Sequence, residues 1–362
     1  MTTQPSLVAA MVAALALRGG ERVLQVGTGP ASRTAYRASA RAAAMRRGAL
    51  GRPVRCTGAR LELCEALIGC QPCRVPVCLI DVPFAMGDDR HDASDGGRRL
   101  IGGGGRELFA RRGIACRELR VARRAPFADT ASACLAVHHE LAAAVATAAA
   151  VGELPIVIAG SCDAATGLLG GLARERCGVV WIDAHADFNT PDSTVTGFFP
   201  GMALAIVTGH CYAAWWAQIG NAAPVPETHV ALFGIRELSP DAERERVERS
   251  RILRVAWLDG QPDGDIDVTV ATLADRVEHV YLHIDLDALD PSIAPGIVDK
   301  PVPQGLSLPQ LDEVLDAVTG TLGLHAVALT TYTPSRDVDG ATHATALHVL
   351  ARIADHHAAG RR

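Results

Sequence analysis

Asp183, His185 and Asp187 stand at every second position directly behind the apolar run Val179-Val180-Trp181-Ile182, and Asp285 and Asp287 repeat the spacing behind Val280-Tyr281-Leu282. On extended backbone, residues two apart point to the same side, so each cluster can aim its side chains at one point. Carboxylates and an imidazole grouped in this way suit hard or borderline divalent ions such as manganese, zinc or iron better than calcium, which rarely takes histidine. Paired ions about 3.5–4 Å apart can hold a bridging hydroxide and act as Lewis acids, so the implied chemistry is hydrolysis at a carbon centre. A single Asp-x-His or Asp-x-Asp is also common in loops as solvated charge, a cap or a turn. Two of them, each behind a buried-type strand, are harder to explain structurally, because unpaired carboxylates at strand ends in a core carry a large desolvation cost.

The elements that must position these residues form an α/β alternation from residue 75 almost to the end. Strands are predicted at Pro76–Ile80, Ile156–Ala159, Val179–Ile182, Val230–Phe233, Val255–Leu258, Val280–Ile284 and Ala326–Thr330. A helix is predicted from about Asp129 to Val151, stopped by Gly152. Another is predicted from Leu308 to Val318 behind the capping-box signature Ser307-Leu308-Pro309-Gln310. The glycine- and aspartate-rich stretch from Gly87 to Gly105 reads as a loop. Short, wholly apolar strands alternating with helices argue a parallel sheet covered on both faces. Ligands of such sheets sit beyond the carboxyl ends of the strands, where both acid clusters fall.

The chain has 362 residues, 49% of them apolar, enough to support a sizeable core. Its formal charge of -5 gives no general attraction to nucleic acid or to an acidic membrane, so a small-molecule substrate is the default and no nucleic-acid or membrane partner is expected. Lys300 is the only lysine among the 35 Lys and Arg residues. The ten cysteines and the absence of a basic leader before an apolar core at Met1-Thr2-Thr3-Gln4-Pro5 predict reduced thiols and a cytoplasmic location. The alanine-rich run from Leu141 to Val151 is too short to span a bilayer and is read as a buried helix.

Residues 1–74 are read as an N-terminal extension and 75–362 as the metallohydrolase domain. The strand Arg22-Val23-Leu24-Gln25-Val26 ending in Gly27-Thr28-Gly29 is similar to the first motif of S-adenosylmethionine-dependent methyltransferases. The third glycine and the later ribose-binding acid are missing, which argues a remnant. Residues 31–60 carry eight arginines and no acid, a composition read as a solvated linker. Cys70 and Cys73 form one C-x-x-C pair, but Cys56 and Cys64 do not make the second pair of a zinc knuckle.

From about Val75 to His356 the chain resembles the ureohydrolase family of arginases, agmatinases and formiminoglutamases. Asp183-Ala184-His185-Ala186-Asp187-Phe188-Asn189-Thr190-Pro191 is similar to the family's DAHxDxNTP, and Asp285-Leu286-Asp287-Ala288-Leu289-Asp290-Pro291 to its DxDxLDP. Pro295-Gly296 followed by Gly305-Leu306 resembles PGxxxPxxGGL. The resemblance implies a three-layer α/β/α sandwich with a mainly parallel sheet of about eight strands. It further implies two divalent ions, manganese foremost, trimers or hexamers, and hydrolytic release of urea or a relative from a guanidino compound. Carried over, Asp183 and Asp285 bridge the ions, His185 and Asp287 complete one, and Asp187 binds the other while orienting the nucleophile. Asp187 and His185 are thus the expected catalytic residues.

The departures from the family pattern alter the chemistry. Cys162, in Gly160-Ser161-Cys162-Asp163, stands where the family's GGDHS motif has a metal-binding histidine. A thiolate there would favour zinc or iron over manganese, and the alternative is a small buried residue that ligates nothing. Cysteine at this place resembles a branch of the family that includes an Nω-hydroxy-L-arginine amidinohydrolase. Thr331 replaces the glutamate that holds the guanidinium, removing a charge-assisted hydrogen bond. Pro200 replaces the proton-shuttling histidine, and proline cannot carry a proton. Asn189 and Thr196 match the positions that contact the substrate's amino-acid end, while Ser239 replaces an aspartate there. Glu237 is left as a partner for a cation or for Arg236, and His283 reads as a support for the ligands or a core histidine. The expectation is a metal-dependent hydrolase of a linear carbon–nitrogen bond in a guanidino, hydroxyguanidino or amidino compound. The alternatives are a non-catalytic or single-metal relative with a structural or regulatory role, and a nucleotide binder using the N-terminal glycines.

Overall fold

The computed structural model describes residues 75–122, 129–173, 175–220, 223–297 and 301–359. The readings made for residues 1–74, the methyltransferase-like motif, the arginine-rich linker and the C-x-x-C pair, lie outside the described residues. The strands are β1 (Val77–Val82), β2 (Cys116–Arg120), β3 (Leu154–Ala159), β4 (Cys177–Ile182), β5 (Val230–Ile235), β6 (Leu253–Leu258), β7 (Gln261–Pro262), β8 (His279–Asp285) and β9 (Gly323–Thr330). The α-helices are α1 (Gly96–Leu100), α2 (Arg106–Arg111), α3 (Thr130–Ala150), α4 (Ala164–Gly170), α5 (Ala203–Val207), α6 (Ala213–Trp216), α7 (Asp241–Arg249), α8 (Ile266–Ala274), α9 (Leu308–Thr321) and α10 (Ala341–Ala358).

The strands form one sheet in the order β2-β1-β3-β9-β8-β4-β5-β6-β7. Every pairing is parallel except that of the two-residue β7 with β6, which gives the eight parallel strands expected plus a short antiparallel ninth. Residues of β1, β3, β4 and β5 are buried throughout, because helices cover both faces. Alternate residues feed two separate cores. Val180, Ile182, Leu282 and Ile284 pack with Leu311 and Leu315 of α9 and Val349 and Leu350 of α10. Val179, Trp181 and Tyr281 pack on the opposite face with Val137 and Leu141 of α3 and Leu168 of α4. Burial of each such side chain contributes about 1.5–3 kcal/mol, so this two-sided burial fixes which way every residue of the central strands points.

Two features differ from the sequence expectation. The stretch from Gly87 to Gly105 is not a loop: a 3-10 turn at Asp92–Asp95, helix α1 and a π-type turn at Ile101–Gly105 run into α2. Glycine here serves close packing instead of breaking the helix, since a Cβ on Gly96 would lie 2.4 Å from the Tyr332 carbonyl oxygen. Buried Leu100, Ile101 and Phe109 anchor the segment to the core. The edge strand β2 was not anticipated because its half-exposed Cys-Arg-Glu-Leu-Arg lacks the apolar run of its neighbours, as charged edges often do. Among the described residues α3 is the one helix long and apolar enough to cross a membrane, and its Val137, Leu141 and Val145 are buried in the core.

Candidate metal centre

The chain passes from β3 to β4 across two strands, β9 and β8, that it adds later, so the carboxyl ends of β3, β9, β8 and β4 lie side by side at the middle of the sheet. In the β4–β8 register Trp181 faces His283 and Ile182 faces Ile284, which brings Asp183 beside Asp285 one step further on. On the other flank Asp285 faces Thr330, which in turn faces Ala159 of β3, three residues before Cys162. The two sequence clusters therefore meet. One ligand atom each from Asp183, His185 and Asp287 lie within 4.8 Å of one another, and so do one each from Cys162, Asp183, His283 and Asp285.

Both clusters close in the same way locally. The Asp183 Oδ1 accepts from the His185 backbone N–H at 2.7 Å, and the Asp285 Oδ1 from that of Asp287 at 2.8 Å. Such aspartate turns fix each leading carboxylate on its own backbone. The Trp181 indole donates to Asp183 Oδ2 at 3.0 Å, and the Ala184 N–H donates to Asp287 Oδ1 at 3.2 Å. The His185 Nδ1 lies 3.3 Å from Asp183 Oδ1 and 3.2 Å from Asp287 Oδ2, so the imidazole joins the two strands. The Cys162 thiol donates to Asp285 Oδ2 at 2.7 Å, and the Thr330 hydroxyl donates to the same oxygen at 3.1 Å.

Asp183 and Asp285 are each 1% exposed, so their charges are almost fully desolvated. Burial, then the Asp287 charge, raises Asp183 to about 7 and pushes Asp285 well above the carboxylate range. Burial and the neighbouring Asp183 raise Asp187 in the same direction. Asp287 goes the other way: burial opposes ionisation, but the His185 charge and its hydrogen bonds hold the acid down at about 2. Burial likewise opposes a charged His185, yet the Asp287 and Asp183 carboxylates lift it well above its usual value. The centre thus gathers four buried acids against one imidazolium, a deficit of positive charge that cations would fill. Two orphaned groups support the same fit: Asp187 Oδ2 and His283 Nε2 are buried without a hydrogen-bond partner.

The other sequence-predicted residues lie around this centre in different states. Asp187 sits in neither ligand cluster and adopts a left-handed φ of 47°. Thr331 turns its hydroxyl onto Asp285 Oδ1, so its side chain faces the acid. The Asn189 amide donates to the Ser239 carbonyl at 3.0 Å, tying the loop after β4 to the loop after β5. Ser239 is exposed, and so is Thr196, whose hydroxyl accepts from the Phe198 N–H at 3.2 Å. Pro200 is buried and opens a 3-10 turn. Glu237 does not pair with Arg236 but lies 3.9 Å from His185 Nε2. The Arg236 guanidinium instead grips the carbonyls of Asp287, Ala288 and Val302 at 2.7, 2.9 and 2.8 Å, clamping the backbone of the second cluster.

Trp181, Thr330, Arg236 and Glu243 are supports that the sequence reading missed. Trp181 carried a usable signal, since it precedes Asp183 by two positions and so shares its face. Glu243 carried none, being one acid in the polar helix α7. It is 3% exposed, and its carboxylate accepts from the Phe188 and Ser239 N–H groups at 2.9 and 3.1 Å. Glu243→Ala leaves both donors unpaired and is expected to destabilise the chain by about 3 kcal/mol in urea unfolding, whereas a change below about 1 kcal/mol would contradict this bracing role.

The family model for the arginase family matches residues 75–355. The chain is 38% identical over 176 residues to an arginase of Bacillus caldovelox, covering 47% of this chain and 58% of that protein. It is 30% identical over 168 residues to an N(omega)-hydroxy-L-arginine amidinohydrolase of Streptomyces lavendulae, covering 46% of this chain and 56% of that protein. The chain therefore spans rather more than half the length of these curated relatives. The native structure of the Bacillus caldovelox arginase superposes with a TM-score of 0.68 at 27% identity, covering 79% of this chain and 99% of that one. The family match spans β3, β4, β8 and β9 and both acid clusters, and on that ground this chain belongs to the arginase family.

Proposed function

We propose that this chain is a metal-dependent hydrolase of a linear carbon–nitrogen bond in a guanidino or hydroxyguanidino compound, releasing urea or a hydroxyurea-like product. The observation that carries the reading is the meeting of Asp183, His185, Asp285 and Asp287 at the carboxyl ends of β4 and β8, with Asp187 Oδ2 buried and unpartnered beside them. Asp183, His185, Asp285 and Asp287 would hold one divalent ion, and Cys162, Asp183, Asp187 and Asp285 the other. When bound, such ions supply Lewis acidity and make water acidic enough to ionise near neutral pH. Manganese suits the oxygen-rich half, while a thiolate at Cys162 draws the other half toward zinc or iron.

The chain's own groups then divide the work. Asp187 is the acid whose free oxygen can hold the proton of the nucleophile and pass it toward the leaving amine. His185 is the partly exposed member of the centre, its side chain 35% accessible, and Glu237 beside it offers a carboxylate to a cationic group of the substrate. Thr331 gives the guanidinium no carboxylate, and its hydroxyl is already engaged by Asp285. A hydroxyguanidine is less basic than a guanidine and depends less on such a partner, so this geometry favours the hydroxylated substrate. A urea and hydroxyurea release screen with manganese, zinc, iron(II) and cobalt(II) in turn tests the reading. The expected result is turnover of Nω-hydroxy-L-arginine about 10- to 100-fold faster than of L-arginine, the scale of one lost charge-assisted hydrogen bond. Two bound metals with no product from any guanidino compound would overturn the reading in favour of a non-catalytic relative.

A further inference from the structure

We propose that His283 is itself a metal ligand, through Nε2, completing with Cys162, Asp183 and Asp285 a four-donor site of sulfur, nitrogen and two oxygens suited to zinc. This rests on the reading that divalent ions bind at the two acid clusters, and it adds an imidazole to the half of the centre whose expected histidine is replaced by Cys162.

The argument starts from strand geometry. His283 precedes Asp285 by two residues on β8, as Trp181 precedes Asp183 on β4, so all four side chains share one face of the sheet. The His283 ring is fully buried and stacks on the Trp181 indole with centroids 3.6 Å apart and planes 12° from parallel. That contact fixes the ring plane. The Tyr281 hydroxyl holds Nδ1 at 2.6 Å, which fixes the ring's rotation within the plane. Nε2 is left buried and without a partner, although one ligand atom of each of Cys162, Asp183 and Asp285 lies within 4.8 Å of the histidine's.

A core histidine with both nitrogens satisfied needs no such neighbours, and a buried polar atom without a partner costs about 1–3 kcal/mol. The arrangement instead has the form of a metal-bound histidine, in which the distal ring nitrogen is held by a hydrogen bond and the other presents its lone pair. In the tautomer that ligation requires, Nδ1–H donates to the Tyr281 oxygen 2.6 Å away and Nε2 carries the free pair. Donor atoms around a tetrahedral zinc ion lie about 3.4 Å apart, given bonds of about 2.0–2.3 Å, so four atoms already within 4.8 Å need only small adjustments. With His283 the Cys162 cluster alone supplies four donors, and Asp187, which lies in neither cluster, adds to that ion as a further donor. On binding, the Cys162 S–H that now donates to Asp285 loses its proton to solvent, and the thiolate sulfur takes its place on the ion.

Cobalt(II) titration of the metal-free full-length chain, followed by visible absorption, tests the inference without reference to catalysis. The wild type is expected to show a thiolate-to-cobalt charge-transfer band with the intense ligand-field bands of a four-coordinate ion. His283→Gln is expected to keep the charge-transfer band, alter the ligand-field bands and bind this ion more than about 100-fold more weakly. Groups that merely orient a ligand cost 10–100-fold in affinity, so Tyr281→Phe should fall in that lower range with its ligand-field bands unchanged. Unchanged bands and an affinity within about 10-fold in His283→Gln would overturn the proposal. Should the variant not fold, anomalous diffraction from a zinc-soaked wild-type crystal decides the matter. Density about 2.1 Å from His283 Nε2 supports it, and an ion bound at Cys162 but beyond about 3 Å from Nε2 overturns it. Urea release that survives such a result leaves the hydrolase reading intact, whereas a wild type that binds no metal overturns both.

Discussion

Asp285→Asn is expected to abolish metal-dependent hydrolysis, lowering kcat by at least about 1000-fold, or about 4 kcal/mol of barrier, and to reduce the metal content of the purified chain. Asp285 is the junction of the centre: the Cys162 thiol, just past β3, and the Thr330 and Thr331 hydroxyls, at the end of β9 and just past it, donate to its carboxylate, and its Oδ1 also accepts from the Asp287 N–H. Asparagine preserves the shape but replaces one oxygen by an N–H2 group, which neither coordinates a cation nor accepts from the donors aimed at it. The same substitution has an opposite effect without metal. Burial raises the Asp285 acid well above its usual range, so at neutral pH the metal-free fold bears the cost of desolvating it or of keeping it protonated. Metal-free Asp285→Asn should therefore melt at or above metal-free wild type at pH 8, while metal-loaded wild type melts above both. Turnover and metal content at wild-type levels would sink the proposed function.

The acid clusters were legible because their signal is local. A polar i, i+2 pair directly behind a run of residues buried on both faces admits few structural explanations, and the strand period alone aims Asp183 and Asp285 to one side. What the sequence could not disclose depends on register between distant strands or on bonds to backbone. By resemblance Thr331 stands at the place of a substrate-binding glutamate, but the β8–β9 pairing of Asp285 with Thr330 puts its hydroxyl on the acid. The Arg236 clamp is made wholly to carbonyl oxygens, which no side-chain pattern records. The segment from Gly87 to Gly105 read as a loop because glycine is ambiguous between a turn and a close approach, and only the nearby Tyr332 carbonyl resolves which applies at Gly96. His283 is the most consequential case. Its spacing from Asp285 was visible, but the stacked Trp181 and the Tyr281 hydroxyl that hold its ring and leave Nε2 buried without a partner depend on strand register and packing.

Metal removal should reverse the sign of the chain's pH dependence above pH 6.5. In the metal-free fold Asp183 titrates at about 7, and Asp187, Asp285 and His185 are all raised, the acids by burial and the histidine by the Asp287 and Asp183 charges against its burial. A raised group binds its proton more tightly in the fold than in the unfolded chain, so its stabilisation is present at low pH and is lost as pH rises through the folded value. For Asp183 alone, the rise from 3.8 to about 7 corresponds to about 4 kcal/mol between those two pH values, of which about 1 kcal/mol or less is lost above pH 6.5, the rest of the slope there coming from the groups raised further. His283 acts in the opposite sense, since burial lowers it to about 3, but that contribution is complete once pH exceeds 6.5. Asp287, held at about 2, is likewise constant there. All the shifted groups of the centre that still titrate between pH 6.5 and 8.5 therefore push the metal-free Tm downward. Metal binding requires the acids and the Cys162 thiol to give up their protons, so the stabilisation by a fixed concentration of manganese or zinc grows over the same range. Melting curves with chelator and with metal should diverge from pH 6.5 to pH 8.5, and a metal-free Tm that stays level or climbs through that window would show that the acids are not held protonated in the fold.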